Sequence, residues 1–345
     1  MLTHAYGFVS STSPCSPTQI ERREPGPKDV LIDIAYCGVC HSDIHTARGE
    51  WGRGHYPLVV GHEITGTVRA VGAQVTACKP GDRVGVGCMV DSCGECEFCA
   101  QGLEQFCDHA IFTYNSRDQW GQTTQGGYSQ AITVQEHFVF SIPDSIALDE
   151  GAPLLCAGIT TYSPLKRWVQ PGMKVAIVGL GGLGHVGVQI AAALGADVSI
   201  ISHTMSKQAD GLALGANAYY ATAEAGTFKH LANQFDMILS TVSSTDDYTS
   251  YINCLNKTGV LVNVGMPAEA VDIHVRALSP LRTLQGSLIG GCLETQEMLD
   301  FCAEHQVRPR IETITGDQIT DAYDKVVRSQ VRYRYVIDAN TLGQR

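Results

Sequence analysis

Four cysteines, Cys93, Cys96, Cys99 and Cys107, stand close together in SCGECEFCAQGLEQFC. The spacing C-x2-C-x2-C-x7-C lets one loop hold four thiolates at tetrahedral corners ~2.3 Å from zinc. A ferredoxin-like iron–sulfur run is the competitor, but no proline follows the last cysteine and nothing nearby suggests a second cluster. A structural zinc is expected, since free buried thiols explain so dense a run poorly. A second set is dispersed. YCGVCHSDIH offers Cys40, VVGHEITG offers His62 and Glu63, and PLLCAGITTY offers Cys156. Each alone reads as a core thiol or a turn residue. Together they make the Cys2His set of a catalytic zinc with its fourth position open to water or substrate.

A third chemistry is phosphate binding. In VAIVGLGGLGHVG, the glycines Gly179, Gly181, Gly182 and Gly184, with Leu183 among them, spell G-x-G-x-x-G between a strand and a helix. The first glycine permits a tight turn, the second lets backbone approach a pyrophosphate, and the third lets helix pack on strand. The helix N-terminus then offers N–H donors to the phosphates. An NAD site usually ends its next strand with Asp or Glu, which accepts from the ribose 2′-OH. Here DVSIIS ends in Ser202, followed by His203, Thr204 and, at a short remove, Lys207. Hydroxyls and an ammonium suit a 2′-phosphate that a carboxylate would repel. NADP(H) is the expected cofactor, with a solvated loop and a chance lysine as the plain alternative.

These residues need elements to position them. Residues 1 to about 150 alternate short apolar runs (VLIDIAYCGV, EITGTVRAVGA, DRVGVGCMV, GYSQAITVQ, HFVFSIP) with Gly, Pro and Asp, the pattern of a β-rich domain. From about 152 the rhythm changes to KVAIVG, DVSIIS, FDMILSTV and GVLVNVG, with helical stretches LGHVGVQIAAALG, SKQADGLALG and DDYTSYINCLN between them. Strands alternating with helices specify βαβ units and a parallel sheet. Beyond SLIG, two amphipathic helices (294–305 and 318–329) and a strand RYRYVID complete the chain. The first boundary is expected just before Pro153.

Composition narrows the function. At 345 residues the chain is long enough for two domains, and 44% hydrophobic with 17% charged excludes disorder. A net charge of −11 repels phosphate backbones and anionic lipid, which argues against nucleic-acid and membrane-surface roles. Thirteen cysteines are too sparse for a disulfide scaffold and fit metal or thiol chemistry in a reducing, cytoplasmic compartment. The N-terminus has no basic segment followed by an apolar run, so no signal peptide is expected. Residues 175–196 lack Asp, Glu, Lys and Arg and could in length span a bilayer, but a strand, a glycine turn and a buried helix explain them better. Cys15, Cys37, Cys78, Cys88, Cys254, Cys292 and Cys302 show no metal spacing and read as small buried hydrophobes or surface thiols.

The motifs CGVCHSD, YPLVVGHEITG, the four-cysteine lobe, GGYSQ, APLLCAGITTYSPL, VAIVGLGGLGHVGVQ and RYRYVID span residues 36 to 338. Their combination resembles the zinc-dependent medium-chain alcohol dehydrogenases, in particular the cinnamyl alcohol dehydrogenase branch. The resemblance implies a Rossmann doubly wound parallel-sheet domain inserted in a GroES-like β-rich catalytic domain. The implied extents are 1–151 for the catalytic domain, with a zinc lobe at about 88–110, then 152–289 for the Rossmann domain, and 290–345 for the return. It implies that Cys40, His62 and Cys156 hold the catalytic zinc, that Glu63 lies close enough to enter its coordination transiently, and that Asp43 orients His62. Ser42 and His45 would relay the proton through the nicotinamide ribose, Thr160 would lie beside the nicotinamide, and Arg334 near the pyrophosphate. Cys156 argues against the polyol branch, which usually has Glu there. Trp51, Met89 and Phe112 align with substrate-facing positions, which implies aromatic or medium-chain primary alcohols and their aldehydes. Two zinc ions per chain, NADP(H) and a homodimer are further expectations. A zinc-independent quinone or alkene reductase of the same superfamily is the alternative, with a zinc-lobed nucleic-acid-binding protein more remote.

Overall fold

The computed structural model describes residues 1–345 except 53, 244–246, 268 and 344–345. Contacts divide the chain into two units. The first comprises Met1–Cys156, Gly290–Glu304 and Arg308–Arg345, and the second Ala157–Ile289 with His305–Val307. The first break falls after Cys156, close to the boundary expected at 151.

The first unit is built on a sheet ordered Ile311–Ile314, Arg334–Asp338, Asp29–Gly38, Ile64–Val71, Arg83–Val86 and Phe140–Ser141, with Ala131–Gln135 also paired to Asp29–Gly38. The ten-residue strand Asp29–Gly38 is its spine, and Val30, Ile32 and Ile34 are buried. Leu2–Gly7 and Ser16–Glu21 add an antiparallel ribbon. Sequence periodicity misses these two strands, since THAYG and SPTQIE lack an apolar run. Met89–Asp91 pairs with Ile111–Phe112 on either side of the cysteine lobe.

The second unit is a six-stranded parallel sheet in the order Ala218–Ala221, Asp197–Ser202, Lys174–Val178, Phe235–Ser240, Leu255–Asn263 and Thr283–Gly286. Order of appearance 3-2-1-4-5-6 is that of a Rossmann domain, whose ligands bind where the order reverses, beside the first strand. Its strands are apolar on both faces, with Val175, Ile177, Val198, Ile200, Ile238 and Leu261 all fully buried. The apolar run 175–196 resolves into the strand Lys174–Val178 and the ten-residue helix Gly184–Ala193. Among the described residues, no helix is long and apolar enough to cross a membrane. The helix expected over DDYTSYINCLN occupies Tyr248–Cys254, and its first expected residue, Asp246, lies outside the described residues. Two further strands, Ala218–Ala221 and Thr283–Gly286, are too short to signal themselves in sequence.

Candidate functional site

Two sheet neighbours carry most of the dispersed set. Asp29–Gly38 runs antiparallel to Ile64–Val71 with Cys37 opposite Ile64, so Cys40, past the end of one strand, meets His62 and Glu63, before the start of the other. Arg334–Asp338 lies on the opposite side of the same spine, with Val336 opposite Gly38, which brings Arg334 alongside. Cys156 arrives on a single turn of π-helix, Leu154–Gly158. Pro153 precedes that turn; its ring and missing N–H disfavour regular α-helical bonding there. Ligand atoms of Cys40, His62, Glu63 and Cys156 all lie within 4.8 Å of one another, and all four residues are buried.

The thiols of Cys40 and Cys156 are 4.0 Å apart. Zinc–sulfur bonds of ~2.3 Å place two sulfurs of a tetrahedron about 3.8 Å apart, so the pair fits one ion. His62 donates from Nδ1 to Asp43 Oδ1 at 2.9 Å, which leaves Nε2 as the ring's free ligand atom. Asp43 is itself held. It accepts from the backbone N–H of Cys40 at 2.9 Å and of Gly61 at 3.2 Å, and from the Tyr128 hydroxyl at 3.2 Å. Tyr323 donates in turn to Tyr128 at 3.2 Å. Gly61 has φ +107, and a Cβ there would strike the Tyr128 ring and the Cys37 sulfur. That close approach explains a glycine before His62.

Electrostatics match a cation site. The Cys156 thiol hydrogen-bonds to Cys40, which falls well below the usual thiol range while Cys156 rises well above it. Burial would lower the His62 pKa, but the Asp43 carboxylate holds it well above its ordinary value. Burial pushes Glu63 up to about 7, against the pull of Arg334. Arg334 donates to Glu63 Oε1 in a fully buried pair, while Glu63 Oε2 and Arg334 Nε find no partner. Arg334, expected near a pyrophosphate, is therefore a partner of Glu63 here.

Ser42 and His45 share the helix His41–Ala47, three residues apart and hence on one face. Ser42 Oγ is 3.7 Å from Cys40 Sγ. His45 Nδ1 is hydrogen-bonded to Glu50, and its ring stacks on Trp51 with centroids 4.8 Å apart. Trp51 thus braces the histidine and is partly exposed. Met89 is buried and faces Phe112 across a strand pair, with Phe112 partly exposed. Three residues near the cluster were given no site role by the sequence reading. Tyr114 packs on His62 with ring centroids 5.6 Å apart. Glu50 fixes His45. Cys88 lies within reach of Cys156 and His62, and the Cys156 thiol lowers its pKa. Their only sequence signal is proximity to marked residues.

The four-cysteine loop closes as its spacing implies. Ligand atoms of Cys93, Cys96, Cys99 and Cys107 lie within 4.8 Å of one another. Cys93 Sγ is 3.9 Å from Cys99 Sγ and 3.5 Å from Cys107 Sγ. Backbone N–H groups of Glu95 and Cys96 aim at Cys93 and lower its pKa to about 6.

In the second unit the three glycine roles separate. Gly179 has φ +88, and a Cβ on it would meet Val242 at 2.5 Å. A Cβ on Gly184 would sit 1.9 Å from the Gly179 carbonyl, so helix and turn touch there. Nothing lies within 4 Å of a Cβ on Gly181, the position where backbone must face a phosphate. Gly182 and Leu183 lead into the helix Gly184–Ala193. Ser202 ends its strand, His203 and Thr204 are exposed, and Thr204 Oγ1 is 3.0 Å from Ser206 Oγ. Lys207 Nζ donates to the Leu180 carbonyl at 2.8 Å, which brings its ammonium onto the glycine turn. Thr160 is buried in the helix Ile159–Trp168.

Comparison with known proteins agrees with these features. Residues 26–144 match the alcohol dehydrogenase GroES-like domain, and residues 182–304 the zinc-binding dehydrogenase domain. The chain is 55% identical over 341 residues to NADP-dependent alcohol dehydrogenase C of Mycobacterium bovis, covering 98% of this chain and 99% of that protein. It is 48% identical to the aldehyde reductase YahK of Escherichia coli, covering 99% of each. Its fold is similar to a cinnamyl alcohol dehydrogenase from Sorghum bicolor, with TM-score 0.96 and 38% identity over 99% of this chain and 98% of that one.

Proposed function

The chain belongs to the zinc-binding alcohol dehydrogenases, of the cinnamyl alcohol dehydrogenase type, and we propose that it interconverts aromatic or medium-chain aldehydes and their primary alcohols. It is an NADP-linked, zinc-containing oxidoreductase. The observation that supports the site assignment is the buried Cys40, His62 and Cys156 donor set, with His62 Nδ1 already committed to Asp43. The complete set favours this reading over a zinc-independent quinone or alkene reductase.

Zinc, when bound by Cys40, His62 and Cys156, polarises a carbonyl oxygen as a Lewis acid. The glycine turn with Gly179, Gly181 and Gly184 would hold NADPH, which when bound would supply the hydride. The protein's part is placement and proton supply. Asp43 keeps His62 in one tautomer and orientation. Glu63 stands beside the donor atoms with one oxygen on Arg334 and the other unpartnered, so it can approach the metal without leaving its arginine. Ser42, its Oγ 3.7 Å from Cys40 Sγ, would give the proton to the substrate oxygen. His45, its Nδ1 held by Glu50, can return one through Nε2, and its partial exposure connects it to solvent. Trp51 against His45 and Tyr114 against His62 put aromatic surface beside the set, and with Met89 and Phe112 as further substrate-facing residues the site would prefer larger aldehydes.

A homodimer and a cytoplasmic location belong to the same reading. Thr283–Gly286 ends the parallel sheet, and exposed Val275 and Leu281 lie close to it in sequence. An open strand edge beside apolar side chains is a template for a second copy. The thirteen cysteines, six of them in two metal sets, suit a reducing compartment.

Steady-state kcat/KM with cinnamaldehyde, hexanal and acetaldehyde, each with NADPH and with NADH, tests the proposal. Burying each extra methylene contributes ~0.8 kcal/mol, so the two larger aldehydes should far exceed acetaldehyde. Equal or better efficiency with acetaldehyde would sink the apolar-pocket assignment.

A further inference from the structure

We propose that Glu104, His137 and Cys292 form a third divalent-cation site, with zinc as its best-matched ion. Carboxylate oxygen, ring nitrogen and sulfur of these residues lie within 4.8 Å of one another. None belongs to either cysteine set, so the proposal stands apart from the assigned function. The residues come from three separate segments. Glu104 opens the turn Glu104–Phe106 just before Cys107, His137 lies in the turn Glu136–Phe138, and Cys292 begins the helix Cys292–Glu304.

The place is built rather than accidental. Glu104 is 2% exposed, an unusual burial for a carboxylate. Its Oε1 faces His137 Nε2 at 2.7 Å, and its Oε2 accepts from the Cys292 backbone N–H at 2.9 Å. The Cys292 thiol also hydrogen-bonds to Glu104, and its pKa is raised by burial first and by that carboxylate next. Gly291 makes the approach possible. A Cβ there would lie 1.7 Å from the Gly102 carbonyl and 2.8 Å from Glu104 Oε2. The His137 side chain is 57% exposed, which leaves a way in for an ion and room for water as a further ligand.

Chemistry selects the ion. One carboxylate and one thiolate balance a +2 charge, and an oxygen, nitrogen and sulfur set suits zinc rather than magnesium or calcium. In the metal-free cluster, protons on His137 Nε2 and Cys292 Sγ occupy the contacts that a cation would take. Binding displaces the thiol proton to solvent. A neutral imidazole moves its proton to Nδ1, whereas an imidazolium releases one as well. No oxidant or reductant takes part. Because hydrogen bonds already satisfy the cluster, it should fill more weakly than the cysteine-rich sets. Once filled, it would tie the cysteine lobe to the helix at 292.

The test uses the protein with its two tighter sites loaded. Zinc content is measured after equilibration with graded free zinc, and cobalt is added separately for its thiolate charge-transfer absorption. Wild type should take up a third equivalent. Cys292→Ser and His137→Ala should each weaken that equivalent by roughly tenfold or more, keep the first two, and lose part of the cobalt–thiolate signal. Should Cys292→Ser fold poorly, the exposed His137 variant decides alone, read also as loss of zinc-induced stabilisation. No third equivalent in wild type, or a third equivalent unchanged in His137→Ala, overturns the proposal.

Discussion

Asp43 makes no contact with substrate or cofactor in the proposed mechanism, yet the catalytic set depends on it. Four donors meet its two oxygens: the His62 ring and the Cys40 backbone, both from proposed metal ligands, and the Gly61 backbone and the Tyr128 hydroxyl. Asp43→Asn removes the charge and puts an amide NH2 where two of the four donors need an acceptor. Loss of such a ligand-orienting group costs 10–100-fold in metal affinity or activity. We expect about that loss in turnover, and one of two zinc ions released under mild chelation while the cysteine lobe keeps its own. Two zinc ions retained with normal turnover would contradict the role. Lys207 acts at the same scale. Its ammonium rests on the Leu180 carbonyl, within the turn that would carry the phosphates. Hydrogen bonds to charged groups contribute ~1.5–3 kcal/mol, so Lys207→Ala should weaken NADPH binding roughly tenfold or more. NADH should change little, and Ser202→Asp should reverse the preference by adding repulsion. Equal losses for both cofactors in titrations of Lys207→Ala would place the 2′-phosphate elsewhere.

At the scale of elements, strand ends do the positioning. Asp29 starts the spine strand whose far end leads to Cys40, and it anchors the segment before it. It accepts from Arg23 through both oxygens, at 2.8 Å for Oδ1, and from the Gly26 N–H at 2.6 Å. Burial would raise its pKa, but the Arg23 hydrogen bond and the Gly26 N–H outweigh it and hold the carboxyl below its ordinary value. A depressed folded pKa means stability that is complete above the unfolded value of ~3.9 and lost as pH falls through the folded one. Arg23 is a third exposed, so screening limits the contribution to about 1 kcal/mol. Asp29→Asn should therefore lower Tm at neutral pH, and the difference from wild type should shrink as pH drops below about 4. A Tm difference that is constant from pH 7 to pH 3 would exclude the linkage.

For the whole molecule, the proposed dimer rests on the edge of the parallel sheet. Among the described residues Thr283–Gly286 pairs only with Leu255–Asn263, and Leu281 beside it is 78% exposed. If two copies join there, Leu281→Asp places charges against the matching patch of the partner and should shift a two-chain species to single chains. Light scattering on the eluting protein reads this directly. A single-chain wild type, or a variant that stays paired, removes the dimer from the reading. Kinetics of the separated chains would then show whether catalysis needs the pair.

Residue type and local spacing were enough to mark the chemistry from sequence. Four cysteines within fifteen positions act through one loop, and a glycine turn acts through one strand–helix junction, so both are local and visible in order along the chain. The alternation of strands and helices likewise announced the parallel sheet, because buried parallel strands need continuous apolar runs. The Cys40, His62 and Cys156 grouping and the Asp43–His62 pairing came from the family resemblance, and the tertiary structure supplied the way these residues meet and the partners beyond them. Only strand register sets Arg334 beside Glu63, and only the π-turn delivers Cys156 to Cys40. Tyr128 and Tyr323, far apart in sequence, reach Asp43 through hydrogen bonds that no spacing encodes. The Glu104, His137 and Cys292 cluster shows the same limit. Cys292 reads as a small hydrophobe or a surface thiol, and no spacing ties it to Glu104 or His137 until folding removes the chain distance between them, because ligand geometry is set by separation in space.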